Sequence, residues 1–321
     1  MTVDGAHVAQ SAVALRRPSA LRRGARVALL TPSSPSNLER LGVGIDALRF
    51  AGFEPVEYAS ARSRGTHLRH LSGTDAERAH DLRSALLDPS IDAILTVCGG
   101  YGSQRMLEAF DWSGLSDLTH KPVVGYSDVT GLLEALAAKL GWSSVMGPMV
   151  AESEFAESYC FASLMGCLTS PAAYGPLDLV GAGTLVGGVA EGITCGGNLS
   201  LLTGSVGTET SWVPPGGIVL IEDEDEDDAR IDIMITHLRR SGYFSRAAAV
   251  VAGTFHDCGE AEQVDAVLRD RLSDLGVPVV TGANIGHGGH VQTYPIGVRA
   301  RLDADGRTLT FLEPPLLTVA G

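Results

Sequence analysis

A chain of 321 residues, 45% hydrophobic and 19% charged, has the composition of a globular protein long enough for two domains. Its formal net charge of −14, from 38 acidic and 24 basic residues, argues against nucleic acid or an anionic membrane as a partner, because both attract basic surfaces. No stretch of the sequence approaches the roughly 20 apolar residues that a membrane-spanning helix needs.

The cysteines and the N-terminal residues indicate the cellular compartment of the protein. The five cysteines are odd in number and lack the paired spacing of zinc ligands, so we expect neither a disulfide framework nor a metal site. A reduced cytoplasm is the simplest setting. Within residues 1–24 the arginines follow a short apolar stretch instead of preceding it, which is a poor signal-peptide pattern. We expect this segment to form a flexible arm.

The first half of the chain alternates between strand and helix patterns. Apolar runs that end in glycine or polar residues indicate buried strands, and apolar residues at helical spacing indicate helices. The predicted strands lie within 26–34, 53–59, 91–100 and 122–127, and the predicted helices within 38–52, 74–87, 101–110 and 128–141. This alternation predicts a mostly parallel sheet covered on both faces, with ligands at the carboxyl ends of its strands.

The pattern weakens between about 150 and 190, and a second region follows. After an opening stretch over 183–197, strands are predicted within 216–223, 247–255 and 277–282, and helices within 198–206, 233–242 and 263–276. Two alternating strands joined by an Asp-Gly turn close the chain. We therefore expect an arm over 1–24, an N-terminal α/β domain over 25–160, a linker over 161–190 and a C-terminal domain over 191–321.

The stretch VVGYSDVTGLLEAL places Ser127 between a strand and a helix. One interpretation is a helix cap, because a serine side chain there accepts a hydrogen bond from an otherwise unpaired backbone N–H. The other is a nucleophile on a tight turn, as in the Gly-x-Ser-x-Gly elbow, although Val129 stands where the second glycine belongs. The stretch alone leaves both interpretations open.

Two further stretches carry acid and base groups. In EDEDEDD, residues 223–228 are interpreted as a solvated charged face, whereas Glu222 directly follows an apolar strand and is placed to orient an imidazole. In NIGHGGHVQTYPIG, glycines around His287 leave room for a substrate or another backbone, and His290 is interpreted as an ordinary loop histidine. The two histidines have no third ligand nearby in the sequence, so no metal site is predicted.

The glycine turn CGGYGSQ follows the third predicted strand. It lacks the spacing of a phosphate-binding loop, but its backbone N–H groups are suited to stabilise an oxyanion. Cys98 at its start is interpreted as a small buried residue, because nothing in the sequence activates its thiol. A serine, a histidine, a carboxylate and such a turn meet the needs of a catalytic triad, in which an oriented base activates the serine.

Several blocks, in order, make the sequence similar to the LD-carboxypeptidase family of serine peptidases, which includes the microcin C self-immunity hydrolases. The resemblance runs from about Arg17 to Pro315 and rests on the blocks RPSALRRGARVALLTPSSP, GTDAERAHDLRSALLDPSIDAIL, GGYGSQRML, KPVVGYSDVTGLL, GGNLSLLTGSVGT, IVLIEDEDEDDARID and GANIGHGGHVQTYPIGVRARLD. It implies an α/β fold: an N-terminal doubly wound, mostly parallel sheet domain that carries the serine, and a C-terminal mixed α/β domain with a β-barrel-like core.

The resemblance also implies roles for individual residues. Ser127 is the implied nucleophile, His287 the general base and Glu222 the group that orients the base. The implied oxyanion hole consists of the backbone N–H groups of Gly100 and Asp128. The family has a second acid four residues after the glutamate, and Glu226 matches it here without an assigned role.

One position departs from the peptidoglycan-recycling branch of the family. Its turn reads Arg-Gly-Gly-Tyr-Gly, and Cys98 replaces the arginine here. Losing a cation beside the substrate changes which carboxylate or acyl group the pocket accepts. We therefore predict that Cys98, Gly99 and Tyr101 contact the substrate.

The predicted function is hydrolysis of the L,D-amide bond before a terminal D-alanine in cytoplasmic muropeptides, through an acyl-enzyme and without a metal or organic cofactor. The expected partner is a small peptide or peptide conjugate, with no nucleic acid and no membrane, and the family resemblance implies a homodimer. The alternatives are hydrolysis of a peptidyl or aminoacyl nucleotide antibiotic, a biosynthetic acyl transfer to an amine, and a non-catalytic ligand-binding homologue. A nucleotide substrate would need an aromatic side chain to stack on the base, and the sequence alone does not place Trp142 or Trp212.

Overall fold

The computed structural model describes residues 15–66, 68–179, 181–288 and 291–318. The elements of its first half lie largely where the sequence predicts them. The strands are β1 (Arg26–Leu30), β2 (Glu54–Glu57), β3 (Ala93–Thr96), β4 (Val123–Gly125) and β5 (Ser144–Met146), and the helices are α1 (Leu38–Phe50), α2 (Asp75–Leu87), α3 (Ser103–Glu108), α4 (Thr130–Leu140) and α5 (Ser158–Thr169).

The second half supplies nine strands and three helices among the described residues. The strands are β6 (Leu177–Asp178), β7 (Gly183–Val186), β8 (Val189–Asn198), β9 (Gly217–Glu224), β10 (Ala247–His256), β11 (Val279–Thr281), β12 (Tyr294–Ile296), β13 (Arg299–Asp303) and β14 (Thr308–Phe311). The helices are α6 (Leu199–Ser205), α7 (Asp228–Arg240) and α8 (Ala261–Leu272). The two closing strands pair antiparallel, as their alternation predicts.

Strands β1 to β5 form a parallel sheet in the order β5-β4-β3-β1-β2. Alternate residues of β1 enter different apolar clusters, with Ala28 and Leu30 in one and Val27 and Leu29 in the other. Both faces of the sheet are therefore buried, as the near-continuous apolar strands predict. The prediction of a mostly parallel sheet is confirmed.

One strand of this sheet comes from the far end of the chain. β12 pairs antiparallel with β5, and Tyr294 lies opposite Met146 in this pair. The loop that carries His287 leads directly into β12, so this pairing holds the loop beside the N-terminal sheet. The topology thereby brings the loop that carries His287 towards the sheet that carries Ser127.

The other sheet contains eight strands in the order β6-β14-β13-β8-β9-β10-β11-β7. Its centre, β8 to β11, is parallel, and antiparallel strands flank it on both sides. The order leaves β6 and β7 as edges, so the described residues form an open sheet where the family resemblance implies a β-barrel-like core. Apolar side chains of β9 pack under α7 and α8.

Two segments are more regular than the sequence suggests. The segment predicted as a linker contains most of α5 together with β6 and β7. In the predicted arm, residues 1–14 lie outside the described part of the chain, whereas Arg16 exchanges backbone hydrogen bonds with Gly141 and Ser143 and Leu21 is buried. Where the structure describes the chain, its helices are too short or too polar to cross a bilayer.

Candidate active site

Ser127 lies on a strained corner after β4. Its backbone φ is 57°, a left-handed conformation that costs a non-glycine residue roughly 1–3 kcal/mol. Its side chain makes no capping hydrogen bond, and a 3₁₀ turn over Ser127–Val129 leads into α4. The helix-cap interpretation is therefore wrong, because Ser127 lies inside the 3₁₀ turn and Val129 holds the N-cap position of α4. A Cβ atom on Gly99 would lie 3.3 Å from Ser127 Oγ, so this glycine lets the turn approach the hydroxyl.

The carboxylate of Asp128 ties the glycine turn to the serine corner. It accepts hydrogen bonds from the backbone N–H of Gly102 at 3.2 Å and of Ser103 at 2.8 Å, and from the hydroxyl of Ser33 at 2.5 Å. The side chain is buried, so its charge is satisfied by these three donors. The sequence analysis considered only the backbone N–H of Asp128, and the anchoring role of its side chain was missed.

Glu222 and His287 form a buried pair in the other half of the chain. His287 Nδ1 lies 2.6 Å from Glu222 Oε2, and the backbone N–H of His287 donates to the same oxygen at 3.1 Å. Glu222 lies near the end of β9, and His287 lies in the loop after β11. A Cβ atom on Gly286 would lie 2.5 Å from Glu222 Oε2, so the space that the sequence assigns to a substrate is occupied by this carboxylate.

Neighbouring carboxylates determine the charge of the imidazole. Burial alone lowers the pKa of His287, but the charge and hydrogen bond of Glu222 outweigh it, and Glu224 and Asp223 act in the same direction. The pKa of His287 is raised to about 9 as a result. In this state the ring favours the protonated form at neutral pH.

A cleft of about 450 Å³ brings the predicted catalytic residues together. Its lining includes Gly99, Gly100, Ser127, Asp128 and His287, with Glu222 directly behind the histidine. No hydrogen bond joins Ser127 to His287 in the described part of the chain, although the rings of His287 and Tyr126, the residue before the serine, lie 4.8 Å apart.

The three residues predicted to contact substrate differ in their placement. Gly99 lines the cleft, but neither Cys98 nor Tyr101 is among the residues lining it. The thiol of Cys98 is buried and donates to the carbonyl oxygen of Ser34 at 3.0 Å. Burial raises the pKa of this thiol to about 12, which fits the interpretation of Cys98 as an inert buried residue. Tyr101 is 54% exposed and lies beside His70.

The acidic run is not uniformly solvated, contrary to the prediction for residues 223–228. Asp223 is buried and accepts hydrogen bonds from Asn198 Nδ2 at 2.8 Å and from the backbone N–H and hydroxyl of Ser200. Glu226 accepts from Ser200 at 3.2 Å and lines the cleft. Glu224 approaches Nε2 of His287 at 3.5 Å. His290 lies outside the described residues.

A further carboxyl in the cleft gave no signal in the sequence. Glu152 follows β5, a three-residue strand that the sequence analysis missed. Burial raises the pKa of this carboxyl and the charge of Glu154 adds to the effect, while the Gly99 N–H and His287 oppose it. An apolar run as short as Ser144–Met146 does not reveal a strand, so the position of Glu152 beside the serine was not predictable.

Comparison with known families matches both halves of the chain. The LD-carboxypeptidase N-terminal domain matches residues 27–147, and the LD-carboxypeptidase C-terminal domain matches residues 191–302. The chain belongs to the LD-carboxypeptidase family. The family resemblance seen in the sequence is confirmed, and with it the class of serine-type carboxypeptidases.

Similar proteins cover nearly the whole chain. A putative carboxypeptidase of Streptomyces coelicolor is 40% identical over 304 residues, which cover 94% of this chain and 98% of that protein. A probable murein peptide carboxypeptidase of Bacillus subtilis is 31% identical over 300 residues, covering 91% and 93%. A solved structure of the microcin C7 self-immunity protein in complex with aspartyl sulfamoyl adenosine has a TM-score of 0.82 at 24% identity, covers 94% of this chain and 100% of that chain, and supports the fold.

Proposed function

We propose that this LD-carboxypeptidase family member hydrolyses the amide bond before the terminal D-alanine of a murein tetrapeptide. Ser127 is the proposed nucleophile, His287 the general base and Glu222 the group that orients it. The observation that carries the proposal is the shared cleft, in which the strained serine and the buried Glu222–His287 pair face one cavity. Perturbed titratable groups beside a strained nucleophile are typical of catalytic sites.

The proposed reaction has two half-reactions. Ser127 Oγ attacks the carbonyl carbon at the L-configured centre of the diaminopimelate or lysine residue, while Nε2 of His287 takes the hydroxyl proton. The same nitrogen then protonates the leaving amine, and D-alanine departs as the acyl-enzyme forms. Water attacks the ester, gives its proton to His287, and releases the shortened peptide as the serine regains its proton. Glu222 stabilises the imidazolium in both halves through Nδ1.

The proposed oxyanion hole is the pair of backbone N–H groups of Gly100 and Asp128. The Asp128 carboxylate fixes the distance between the two, because it belongs to the serine corner and holds the glycine turn through Gly102 and Ser103. Preorganised donors of this kind contribute about 3–4 kcal/mol each to transition-state stabilisation.

The cleft favours a murein peptide over a nucleotide conjugate. A stacking aromatic side chain would support the nucleotide alternative, but Trp142 is fully buried against His120 and Trp212 does not line the cleft. Tyr126 does line it, but this side chain is buried and its ring lies against that of His287. The lining contains one arginine, Arg40, among the residues that the structure describes, and no lysine. Its guanidinium offers a partner for the terminal carboxylate of the peptide. The related Bacillus subtilis protein has a name consistent with this substrate class.

We propose a cytoplasmic location as well, which is consistent with five cysteines that form no disulfide pattern, and a homodimer, which follows from the family resemblance. Light scattering on the purified chain should give twice the mass of the monomer. A mass equal to the monomer at micromolar concentration would contradict the dimer and leave the reaction untouched, because the described cleft is lined within one chain.

The proposed function is tested by release of D-alanine from the tetrapeptide L-Ala-γ-D-Glu-meso-diaminopimelate-D-Ala. Wild type should release D-alanine, and Ser127→Ala should lower the rate by about 10⁴-fold or more while circular dichroism stays unchanged. Cys98→Ala serves as a control that removes a different nucleophilic side chain near the turn. Intact tetrapeptide after incubation with wild type would exclude this substrate, and full activity in Ser127→Ala would exclude the nucleophile.

A further inference from the structure

Two carboxylates contact the imidazole of His287, one at each nitrogen. Glu222 Oε2 lies 2.6 Å from Nδ1, and Glu224 Oε2 lies 3.5 Å from Nε2. Glu222 is fully buried, whereas the side chain of Glu224 is 47% exposed. Nε2 is the nitrogen that has to accept the proton of Ser127 in the proposed reaction. A carboxylate at this nitrogen therefore competes with the serine.

The strand itself explains why both carboxylates reach the same ring. Successive side chains of a strand point to opposite faces, so residues two apart share a face. Glu222 and Glu224 are two apart at the end of β9. Asp223 between them points the other way and binds Asn198 and Ser200. The second contact at His287 is thus a consequence of strand alternation.

The surroundings of the ring favour its doubly protonated form. From β9 it faces Glu222 and Glu224, with the charge of Asp223 acting from the other side of the strand. From the end of β4 it faces the ring of Tyr126, and from the segment after β5 it interacts with Glu152. A neutral imidazole has one N–H donor, whereas the imidazolium has one at each nitrogen and a positive charge that attracts both carboxylates. His256, on β10, lies beside Gly288, the residue that follows His287 in the loop.

We propose that Glu224 is a positioning residue that holds His287 as an imidazolium in the empty site and has to leave Nε2 before Ser127 can be deprotonated. This inference rests on the proposed function, in which His287 is the base for Ser127. Glu224 is the exposed partner of the pair, so its side chain can swing towards solvent, while Glu222 stays in place. The resting enzyme is then held inactive by its own strand end.

The contact is tested directly by the titration of His287. In protein with ¹³C-labelled histidine, the His287 signal is assigned by its loss in His287→Gln and followed with pH in wild type, Glu224→Gln, Glu224→Asp and Asp225→Asn. Loss of a charge at contact distance should lower the His287 pKa by about one pH unit in Glu224→Gln. Asp225→Asn removes the same charge from the adjacent exposed residue, which does not line the cleft, and should change the pKa by much less. Glu224→Asp should stay closer to wild type.

The inhibitory role is tested by the pH dependence of kcat/KM for D-alanine release. The acid limb of the Glu224→Gln profile should move to lower pH, and kcat/KM at about pH 6 should rise by up to about tenfold. An unchanged His287 pKa, or an equal change in Asp225→Asn, would overturn the contact. A lowered pKa without a gain in kcat/KM would overturn the inhibitory role. Failure of wild type to release D-alanine would reject the proposed function. The titration would still show whether Glu224 contacts His287, because it does not depend on the substrate.

Discussion

The two sides of the cleft are built in different ways. The serine side is the more local one: Ser127 and Asp128 are neighbours, and the carboxylate of Asp128 binds the turn after the adjacent strand, with one further hydrogen bond from the distant Ser33. The histidine side is assembled from distant parts of the chain, since Glu222 and His287 are 65 residues apart. Two of the three hydrogen bonds that hold the serine corner come from backbone N–H groups, whereas the protonation of the histidine is set by neighbouring carboxylates.

This difference teaches where each side is sensitive. A local network of backbone hydrogen bonds fixes a geometry, so damage to it should change the rate at every pH. A charge cluster fixes a protonation state, so damage to it should change the pH profile. Each of the following experiments separates the two kinds of effect.

The largest effect outside the triad is expected for Asp128, the buried aspartate that anchors the serine side. Asp128→Asn replaces an acceptor by an amide that opposes the N–H groups of Gly102 and Ser103 and the hydroxyl of Ser33. We expect kcat to fall by about 10²-fold at all pH values, because the oxyanion hole loses its alignment. Asp223→Asn is the matched change on the histidine side and should lower kcat by less than about tenfold.

The measurement is kcat for D-alanine release over the pH range in which both variants stay folded. Equal losses of kcat in the two variants would show that the Asp128 network has no special part in the reaction. A loss in Asp128→Asn that disappears at high pH would indicate an effect on charge instead of geometry.

A second expected effect concerns stability behind the serine. Glu134 on α4 is fully buried, and burial raises its pKa from 4.5 to about 8, while hydrogen bonds from Ser205 and the Trp212 N–H oppose the shift. The folded protein therefore binds this proton more tightly than the unfolded chain does. The contribution of Glu134 to the free energy of unfolding is therefore complete below about pH 4.5. It falls by about 1.4 kcal/mol per pH unit as the pH rises, until the group is ionised above about pH 8.

Glu134→Gln removes this pH dependence. Raising the pH from about 5 to about 9 should therefore shift the free energy of unfolding in favour of the variant, by a few kcal/mol relative to wild type. Urea unfolding at the two pH values provides the comparison. Parallel changes in wild type and Glu134→Gln would mean that Glu134 does not carry the proton. The His287 titration should be unaffected, since this glutamate lies away from the ring.

The smallest effect is expected at Cys98. Its thiol is buried with a pKa raised to about 12, so Cys98→Ala should change kcat for D-alanine release by less than about threefold. Iodoacetamide should leave Cys98 unmodified in the folded protein at neutral pH, as judged by mass spectrometry of the digested chain. Rapid alkylation of Cys98, or a large loss of activity in the variant, would instead support the prediction that Cys98 contacts the substrate.

Much of the fold was predictable because its signals are local. Helix α2 begins at the capping box of Thr74 and Glu77, which the sequence displays directly. Strand β5 was missed because three buried residues carry no periodicity, and helix α5 because no side chain caps its start. The pairing of β12 with β5 in the first sheet is a long-range contact that no local sequence pattern reveals.

The site likewise has features that the sequence signals locally and features that depend on contacts between distant residues. Ser127, Glu222 and His287 were singled out by their local sequence, and the family resemblance implied their roles. Glu224 was interpreted as part of a solvated run, although alternation along β9 already places it on the face of Glu222. The burial of Asp223 depends on Asn198 and Ser200 from another strand and helix, so the sequence alone gave no reason to separate it from the run.

The central claim is that the two sides act as one catalytic unit. Its most direct test is kcat for D-alanine release in wild type, Ser127→Ala, His287→Gln and the double variant. Residues of a working triad are strongly non-additive, so each single change should lower kcat by about 10⁴–10⁶-fold and the double variant should fall no further than the slower single one. A double variant slower by a further factor of about 100 or more would show that Ser127 and His287 contribute independently, and would contradict the account.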